Sequence, residues 1–507
     1  MPIINKLILL YFKGRLAKIE RFKQNPETVQ ARTFFYLIKK AKKTAWGLKY
    51  NYQDISVEAD FNKGIKIFQE NVPLSSYDQL KPWILRTRQG EINILWPGKI
   101  KTFSKSSGTT SDKSKYIPVT TRALKKCHFA GGKDAFAMYF QENPNSRIFL
   151  GKILGLVGSK REDELNKKHN CGDISAIIID KLAWWIQIRR SPKIKTALID
   201  NWEEKLKKTI EEARLDNVIA LAGVPSWMLV LLRQAEKETG KSVKELWPNL
   251  EVLFYGGMSI GPYRQQYQEL CGHDLKYIET YGSAEGFFGA NADNSRHDML
   301  LMLDYEIFYE FVPLEELEKE NPKAYTISEV ELDRNYAIVI STSGGLWRYL
   351  VGDTVKFTQL KPYRFIISGR TKSFINVFGE ELMVDNANQA MTIACLKTGA
   401  LMREYSAAPI FMNKDQKGGH EWLIEFEKAP ADITEFTKIL DQSLQGLNSD
   451  YEAKRYKDIT LSELKIVIAR ENLFIDWLAS KNKLGGQNKV PRLFNDRTYL
   501  EEMLKLN

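Results

Sequence analysis

The sequence predicts an α/β protein with a large N-terminal domain and a small, mobile α+β C-terminal domain. Three observations support this prediction. The chain has 507 residues, more than one hydrophobic core usually contains. Helical patterns alternate with short apolar runs over the first two thirds of the chain, which favours mixed, largely parallel sheets with packed helices. The pattern then changes, after a β-rich segment, to helices and strands of a smaller unit.

Two helices are predicted in the N-terminal part. The stretch "NPETVQARTFFYLIKKAKKTAWG" has Pro26 near its first turn and Gly47 past its end. The stretch "DNWEEKLKKTIEEARL" begins with Asp200 and Glu203, which are spaced as a capping box. Three apolar runs are predicted as short buried strands: "AIIID", "NVIALAG" and "LEVLFYGG". Ligands of such folds bind at the carboxyl ends of the strands.

The domain boundary is predicted near residue 372. The β-rich stretch "WRYLVGDTVKFTQL" precedes "SGRTKSFINVFGEELMVDN", and then come a helix, the alternating run "EWLIEFE", a second helix through "TEFTKILDQSLQGL" and a Lys/Gly-rich loop. We therefore predict a large domain over residues 1–371 and a small lid domain over residues 372–507.

Composition and charge exclude several classes of protein. The formal net charge is +11, from 74 Lys and Arg against 63 Asp and Glu, and no basic stripe interleaved with aromatics indicates nucleic-acid binding. The four cysteines are scattered without metal-ligand spacing, which fits a reducing compartment and predicts a cytoplasmic protein. The run "LILLYF" is too short to span a bilayer, so we expect a helix that packs on the body and no membrane partner. A monomer is the default expectation for the oligomeric state.

Two well-known nucleotide motifs are missing. Gly108 is followed five residues later by Lys113 rather than by Gly-Lys, so there is no Walker A loop, and no G-x-G-x-x-G follows a predicted strand. The five histidines form no H-E-x-x-H motif. Dehydrogenase and metalloprotease functions are therefore disfavoured.

The stretch "FSKSSGTTSDKSKYIPVT", Phe103 to Thr120, is called here the Ser/Thr-rich loop. Its backbone N–H groups, hydroxyls and lysines suit a polyphosphate, although a polar surface hairpin has the same composition. Five further segments follow in order: "FYGGM", "TYGSAEG", "YLVGD", "GRTK" and "GGQNKVPR". Each segment taken singly is typical of a tight turn or loop, but their order and spacing together indicate one nucleotide site.

These segments resemble the adenylate-forming enzymes, which include acyl-CoA synthetases, peptide-synthetase adenylation domains and luciferases. Within them the chain resembles the GH3 acyl-acid amido synthetases, on "VPLSSYDQLKPWI", "ILWPGKIKTFSKSSGTTSDKSKYIPVT", "LAGVPSWMLVLL" and "NKVPR". The resemblance extends from about Thr33 to Arg492. It implies an ATP- and Mg²⁺-dependent ligase that adenylates a small carboxylic acid and joins the acyl group to an amino acid.

The resemblance also implies roles for individual residues. The implied nucleotide-binding residues are Ser106, Ser107, Gly108, Thr109, Thr110, Lys115, Gly257, Met258, Tyr281, Gly282, Ser283, Asp353 and Arg370. Glu285, helped by Thr109, would hold the magnesium ion, and Asp353 would accept hydrogen bonds from the ribose. Lys489 would act as the catalytic lysine at the acyl carboxylate and α-phosphate, and Lys372 would be the hinge of the lid.

The acyl pocket is the least determined part of the site. Val224, Trp227 and Met228 are candidates for an apolar wall, and so are Trp184, Trp185 and Ile188 of "LAWWIQIRR". For most of these residues packing in the core is the favoured interpretation.

Two alternatives to the amide ligase stay open at this level. Asp112 adds a negative charge to the Ser/Thr-rich loop, and "FINVFGEELMVDN" is closer to the general superfamily hinge, which keeps an acyl-CoA or other thioester-forming ligase in consideration. A nucleotide-binding protein without catalysis is the third hypothesis.

Overall fold

A computed structural model describes residues 2–106, 115–161, 163–293, 295–371, 374–412, 418–455, 461–485 and 488–507. The chain forms two compact units. The first comprises Met1–Ala222, Glu251–Gly257 and Lys276–Ile366, and the second Gly223–Leu250, Met258–Leu275 and Ile367–Asn507. The predicted hinge Lys372 lies outside the described residues, and the boundary near it stays a prediction.

The helices of the described chain are numbered in chain order. They are α1 (Pro2–Gln24), α2 (Pro26–Ala41), α3 (Ala45–Lys49), α4 (Tyr52–Val57), α5 (Phe61–Asn71), α6 (Tyr77–Arg88), α7 (Thr121–Ala123), α8 (Phe129–Glu142), α9 (Ile174–Asp180), α10 (Trp184–Gln187), α11 (Ile194–Ala197), α12 (Trp202–Ala213), α13 (Pro225–Thr239), α14 (Val243–Leu246), α15 (Arg264–Cys271), α16 (Val384–Thr398), α17 (Ile433–Leu447), α18 (Ser449–Arg455), α19 (Leu473–Ser480) and α20 (Thr498–Leu504).

The strands are numbered in the same way. They are β1 (Thr102–Ser106), β2 (Lys115–Pro118), β3 (Lys152–Gly155), β4 (Lys160–Arg161), β5 (Asn170–Gly172), β6 (Arg190–Ser191), β7 (Val218–Gly223), β8 (Val252–Tyr255), β9 (Lys276–Gly282), β10 (Phe287–Ala290), β11 (Met299–Leu301), β12 (Ile307–Pro313), β13 (Asn335–Thr342), β14 (Tyr349–Leu360), β15 (Tyr363–Arg370), β16 (Phe374–Ile375), β17 (Leu382–Met383), β18 (Leu401–Ile410), β19 (Gly419–Lys428) and β20 (Lys465–Ala469).

An eleven-stranded mixed sheet in the order β12-β13-β14-β15-β11-β10-β9-β8-β7-β3-β6 organises the first unit. Strand β3 pairs in parallel with β6 and β7, and β8 with β9. Strands β7 and β8 are neighbours connected through helices, the connection of a parallel βαβ unit. From β9 through β10, β11 and β15 the pairing is antiparallel, as it is from β12 to β14. The predicted mixed α/β fold is confirmed.

The Ser/Thr-rich loop connects two paired strands. Strands β1 and β2 are antiparallel with Ser106 opposite Lys115, in a four-stranded sheet of order β2-β1-β5-β4. The two described ends of this stretch are therefore held in paired strands.

The second unit ends in an α+β structure, as predicted. Strands β18, β19 and β20 form a three-stranded sheet. Helix α16 precedes β18 in the sequence, and helix α17 lies between β19 and β20. The alternating run "EWLIEFE" lies in β19, and "TEFTKILDQSLQGL" forms most of α17.

Three local predictions were wrong. The run "AIIID" forms helix α9, which buries Ala176, Ile177 and Ile179; a short apolar run does not by itself distinguish a strand from a buried helix. Helix α12 is capped by Asn201, whose side chain accepts the N–H of Glu204, instead of by the predicted box one residue earlier.

The third wrong prediction concerns Gly47. Helix α2 ends at Ala41, and Gly47 lies inside the short helix α3, where an added Cβ would come within 2.2 Å of the Ala41 carbonyl oxygen. This close approach explains why the position holds glycine.

The aromatic residues of "LAWWIQIRR" are not in the core. Trp184, Trp185 and Ile188 expose 75%, 55% and 62% of their surface, so the favoured interpretation as core packing is wrong for these three. Helix α10, which spans Trp184–Gln187, buries none of its side chains. No helix in the described part of the chain is both long and apolar enough to cross a bilayer.

A buried ion pair joins strand β12 to the segment before β14. The Arg348 guanidinium donates to both carboxylate oxygens of Glu310 at 3.0 and 3.1 Å, and to the Val72 carbonyl at 2.6 Å. The exposed fractions are 5% for the Arg348 side chain and 1% for that of Glu310. Arg348 thus binds the carbonyl that follows helix α5 and a carboxylate of strand β12. Because it links these two elements, we expect the ion pair to stabilise the first unit.

Removing one charge of this pair tests its contribution. Glu310→Gln leaves a buried, uncompensated guanidinium and should lower the free energy of unfolding by about 3 kcal/mol. Urea denaturation followed by fluorescence measures the change. The control Glu315→Gln removes the exposed partner of Arg334 and should cost less than about 1 kcal/mol. Equal effects of the two substitutions would contradict the assignment.

Candidate active site

In the first unit, a hydrogen bond fixes one of the predicted carboxylates. The Tyr281 hydroxyl, at the end of β9, donates to Oδ2 of Asp353 at 2.6 Å. The Tyr281 ring is buried and packs against Phe288 and Phe365, with centroids 4.8 and 6.1 Å apart. Asp353 is half-buried. A rigid phenol therefore orients the carboxylate predicted to bind the ribose.

An irregularity in β14 sets the direction of Asp353. Ala337 of β13 pairs with Thr354 and Val339 pairs with Leu350, so three residues of β14 lie opposite the single Ile338. Gly352, one of the three, has φ +93°, a left-handed value that glycine adopts without strain. Bulges of this kind re-aim a side chain next to functional sites.

Glu285 lies in the turn between β9 and β10. The Ser283 hydroxyl donates to its carboxylate at 2.7 Å, and the Glu285 N–H donates back to the same hydroxyl at 3.2 Å. Burial raises the pKa of Glu285; the Ser283 hydrogen bond and the Lys115 ammonium oppose this rise, while the Asp353 charge adds to it. Asp353 and Lys115 therefore both lie close enough to Glu285 to act on it electrostatically.

Tyr349 completes this group and was not predicted. Its side chain is fully buried, and its hydroxyl has no hydrogen-bond partner among the described residues. Burial raises the pKa of Tyr349, and the charges of Glu285 and Asp353 raise it further. The residue opens the "YLVGD" segment, which is the signal that the sequence offers for it.

The carboxyl end of β8 is built from two glycines. A Cβ on Gly256 would come within 2.4 Å of the Thr280 carbonyl oxygen, and Gly257 has φ +86°. The predicted residues Gly257, Tyr281 and Gly282 thus lie at the ends of the parallel neighbours β8 and β9.

In the second unit, a tryptophan fixes the backbone next to the predicted catalytic lysine. The Trp227 indole N–H of helix α13 donates to the Asn488 carbonyl at 2.9 Å, and Lys489 follows directly. Trp227, Val224 and Met228 expose 5%, 5% and 0% of their surface. All three are packed in the core of their unit, the interpretation favoured for them. The Ser226 hydroxyl contacts Met258 Sδ at 3.4 Å.

Arg492 anchors the other end of the "NKVPR" segment. Its guanidinium donates to Glu404 at 2.9 Å, to the Tyr263 hydroxyl at 2.8 Å and to Asn388 at 2.5 Å. The side chain is 6% exposed and lies over the Tyr405 ring, 4.7 Å from its centroid. Trp227 and Arg492 therefore hold the backbone on both sides of Lys489, whose own side chain is half-buried.

Several predicted residues are described only in part. Ser107, Gly108, Thr109 and Thr110 lie outside the described residues, as do Lys113 and Lys372. Ser106 is the last residue of β1, and Arg370 is the half-buried last residue of β15. The predicted roles of these residues stay predictions.

The residues present fit a nucleotide with magnesium. No cluster of three His, Cys, Asp or Glu side chains that could hold a metal occurs in the described ranges. Magnesium commonly takes one or two carboxylates and completes its shell with phosphate oxygens and water, so Glu285 is sufficient as the protein's acidic ligand. The unpartnered Tyr349 hydroxyl and the nearby Lys115 offer donors to an anion.

Three family models match consecutive parts of the chain. The GH3 family N-terminal domain matches residues 15–276, the central domain residues 300–370 and the C-terminal domain residues 385–498. The chain belongs to the GH3 family. The resemblance inferred from the sequence motifs is thereby confirmed.

Known GH3 proteins are similar along most of their length. The 4-substituted benzoates-glutamate ligase GH3.12 of Arabidopsis thaliana is 22% identical over 84% of this chain and 87% of its own. The solved structure of the AtGH3.15 acyl acid amido synthetase in complex with 2,4-DB covers 97% of this chain and 96% of its own, with a TM-score of 0.77 at 18% identity.

A structure outside the GH3 enzymes shares the fold less closely. The 2-hydroxyisobutyryl-CoA ligase in the postadenylation state has a TM-score of 0.57 at 12% identity and covers 94% of this chain and 91% of its own. At these identities the two solved structures establish a common fold.

The contact between Trp227 and the Lys489 segment gives a testable prediction. Trp227→Phe keeps an aromatic side chain, though a smaller one, and removes the donor to Asn488; loss of this hydrogen bond costs about 1 kcal/mol. Amide hydrogen exchange of residues 488–492 should accelerate about fivefold. The matched control Trp477→Phe removes an indole donor to Glu502 in the same unit and should leave that segment unchanged. Unchanged exchange in both variants would show that the bond does not order the segment.

Proposed function

We propose that this GH3 protein is an ATP- and Mg²⁺-dependent acyl-acid amido synthetase. It adenylates a small carboxylic acid and conjugates the acyl group to an amino acid, releasing pyrophosphate and AMP. The proposal rests on the grouping of four residues: Glu285, Asp353, Lys115 and Tyr349. Lys115 lies on β2, Glu285 follows β9, and Tyr349 and Asp353 lie on β14. The chain that holds them belongs to the GH3 family. The four residues supply anionic and donor groups suited to a nucleotide.

The first step is attack of a carboxylate oxygen on the α-phosphorus of ATP. The bond to the pyrophosphate oxygen breaks as the acyl-adenylate forms. Lys115 and the donors of the Ser/Thr-rich loop neutralise the departing phosphates, since electrostatic stabilisation is the main protein contribution to such transfers. Glu285 would hold a magnesium ion, which would neutralise phosphate charge. Asp353, oriented by Tyr281, accepts the ribose hydroxyls.

The second step is attack of an amine on the acyl carbonyl carbon. The new C–N bond forms as the bond to the AMP oxygen breaks, and the amine loses a proton.

Lys489 carries a positive charge on a segment anchored by Trp227 and Arg492. We assign it to the first step, where it stabilises the charge that develops at the acyl carboxylate and α-phosphate.

The substrate classes follow from the relatives. The Arabidopsis relative is named as a ligase of 4-substituted benzoates and glutamate, a carboxylic acid and an amino acid. We assign the same two classes to this chain, as a monomer acting in the cytoplasm, where ATP is available and its four free cysteines stay reduced.

A thioester-forming ligase is the second candidate. The fold it shares with 2-hydroxyisobutyryl-CoA ligase is the specific observation in its favour. The amide ligase is preferred because the three GH3 domains match in order along the chain.

Pyrophosphate release across a panel of aryl, indole and aliphatic acids tests the proposal. Each acid is supplied alone, with mixed amino acids, or with coenzyme A. We expect release that depends on one class of acid and a product amide that forms with amino acids. Formation of an acyl-CoA instead would replace the proposal by the thioester ligase. ATP binding without release under any condition would favour the non-catalytic alternative.

Asp353→Asn tests the ribose assignment. Loss of the charge weakens hydrogen bonds to the ribose hydroxyls, so the dissociation constant for ATP should rise about 10- to 100-fold. Calorimetry measures the change. Asp333→Asn, an isosteric change at an exposed position, is the control. Unchanged ATP affinity in Asp353→Asn would refute the assignment.

A further inference from the structure

Arg190 is a buried cation without a counter-ion. The residue is 8% exposed, and both terminal nitrogens of its guanidinium are shielded from solvent and lack a hydrogen-bond partner among the described residues. Arginine is almost never buried unless it is paired, because the loss of hydration is not otherwise compensated. The part of the chain that the structure describes therefore leaves this charge uncompensated.

Protonation does not remove the problem. Burial lowers the pKa of Arg190 to about 10, and no carboxylate opposes this change. The guanidinium stays charged at neutral pH. An anionic oxygen group is the partner that matches its planar, forked geometry.

Neighbouring cations do not share this property. Arg189, the preceding residue, is exposed and donates to the Phe149 carbonyl. Lys205 is buried, but its ammonium donates to the carbonyls of Val157 and Gly158 at 3.2 and 3.4 Å. Arg190 thus differs from these two cations, although Gln187 Oε1 and Ser191 Oγ also lack a partner among the described residues.

The guanidinium lies toward the carboxyl edge of the parallel strands. Arg190 pairs with Ile153 of β3, yet its Nη2 is 3.9 Å from the position of a Cβ on Gly155, two residues farther along. Gly155 in turn pairs with Ala222 of β7. The neighbouring strands therefore carry a glycine and an alanine, the two smallest residue types, on this side of Arg190.

The same edge carries the nucleotide residues of the first unit. Strand β8, which is followed by Gly256 and Gly257, is the third strand from β6. At a strand separation of about 4.8 Å, the two strands are about 14 Å apart. A ligand lying along the edge would reach Arg190 with one end while its other end is near β8.

We propose that Arg190 binds a second anionic group of the acyl substrate, so that the enzyme acts on diacids whose distal carboxylate is several bonds from the reacting one. This assignment rests on the proposed function, since it takes the adenylated carboxyl group to lie near β8. The distal carboxylate accepts the two terminal N–H groups of the guanidinium. Substrates without this group leave the buried charge unpaired and are disfavoured.

Matched acids test the proposal by turnover. Pyrophosphate release is measured for adipate, suberate and sebacate against hexanoate, octanoate and decanoate. Wild type should prefer diacids, and Arg190→Met should reduce kcat/KM for them about 10- to 100-fold without lowering that for monoacids. The matched control Arg189→Met should retain the preference. A wild-type preference for monoacids, or a diacid preference that survives in Arg190→Met, would overturn the proposal.

Binding without ATP separates this inference from the proposed function. Thermal unfolding is followed for each variant alone, with each diacid, and with inorganic phosphate. Because the unpaired charge destabilises the free protein, Arg190→Met should unfold at a higher temperature than wild type and should lose the stabilisation by diacid. Arg190→Lys, which keeps the charge in a shorter side chain, should show an intermediate response.

Each result has one meaning. Stabilisation by phosphate but by no diacid would overturn the substrate assignment in favour of a free-anion site. An Arg190→Met variant less stable than wild type, with no ligand response in either, would show a structural role and also overturn it. Diacid binding through Arg190 without pyrophosphate release would support the anion site while overturning the proposed function.

Discussion

The convergence of parallel strand ends on one edge of the large sheet is the constraint from which the candidate site follows. Strands β8 and β9 are parallel neighbours, and glycines lie at their carboxyl ends. Gly256 is needed after β8 because the backbone of Thr280 passes so close to it that no side chain fits there. Tyr281 at this edge then reaches Asp353 of β14 and orients it. The antiparallel half of the sheet thus contributes a carboxylate to a site that the parallel half frames.

The second unit supplies a separate, internally fixed element. The buried Trp227 indole donates to the backbone of Asn488, and the buried Arg492 guanidinium ties the other end of the segment to the side chains of Glu404 and Tyr263. The same helix that the sequence suggested as an acyl-pocket wall therefore positions the segment of the predicted catalytic lysine. We expect a substitution at Trp227 to act on Lys489 indirectly, through the backbone of Asn488.

Sequence patterns predicted what depends on local chemistry. The strands "NVIALAG" and "LEVLFYGG", the hairpin around the Ser/Thr-rich loop and the later α+β unit are present. The run "AIIID" was misassigned because five residues are too few for periodicity to decide between helix and strand. Arg190 was weighed from the sequence as a possible carboxylate fork, with a surface position favoured, but its burial, like that of the Tyr349 hydroxyl, without a partner among the described residues depends on tertiary packing and could not be predicted.

Transfer of carboxylate oxygen to AMP tests the central claim most directly. An acid labelled with ¹⁸O in its carboxyl group is incubated with ATP, magnesium and an amino acid, and the products are analysed by mass spectrometry. If the carboxylate attacks the α-phosphorus, each AMP formed with the amide carries one labelled oxygen and the pyrophosphate carries none. Label in inorganic phosphate, or AMP without label, would contradict an adenylate-forming mechanism.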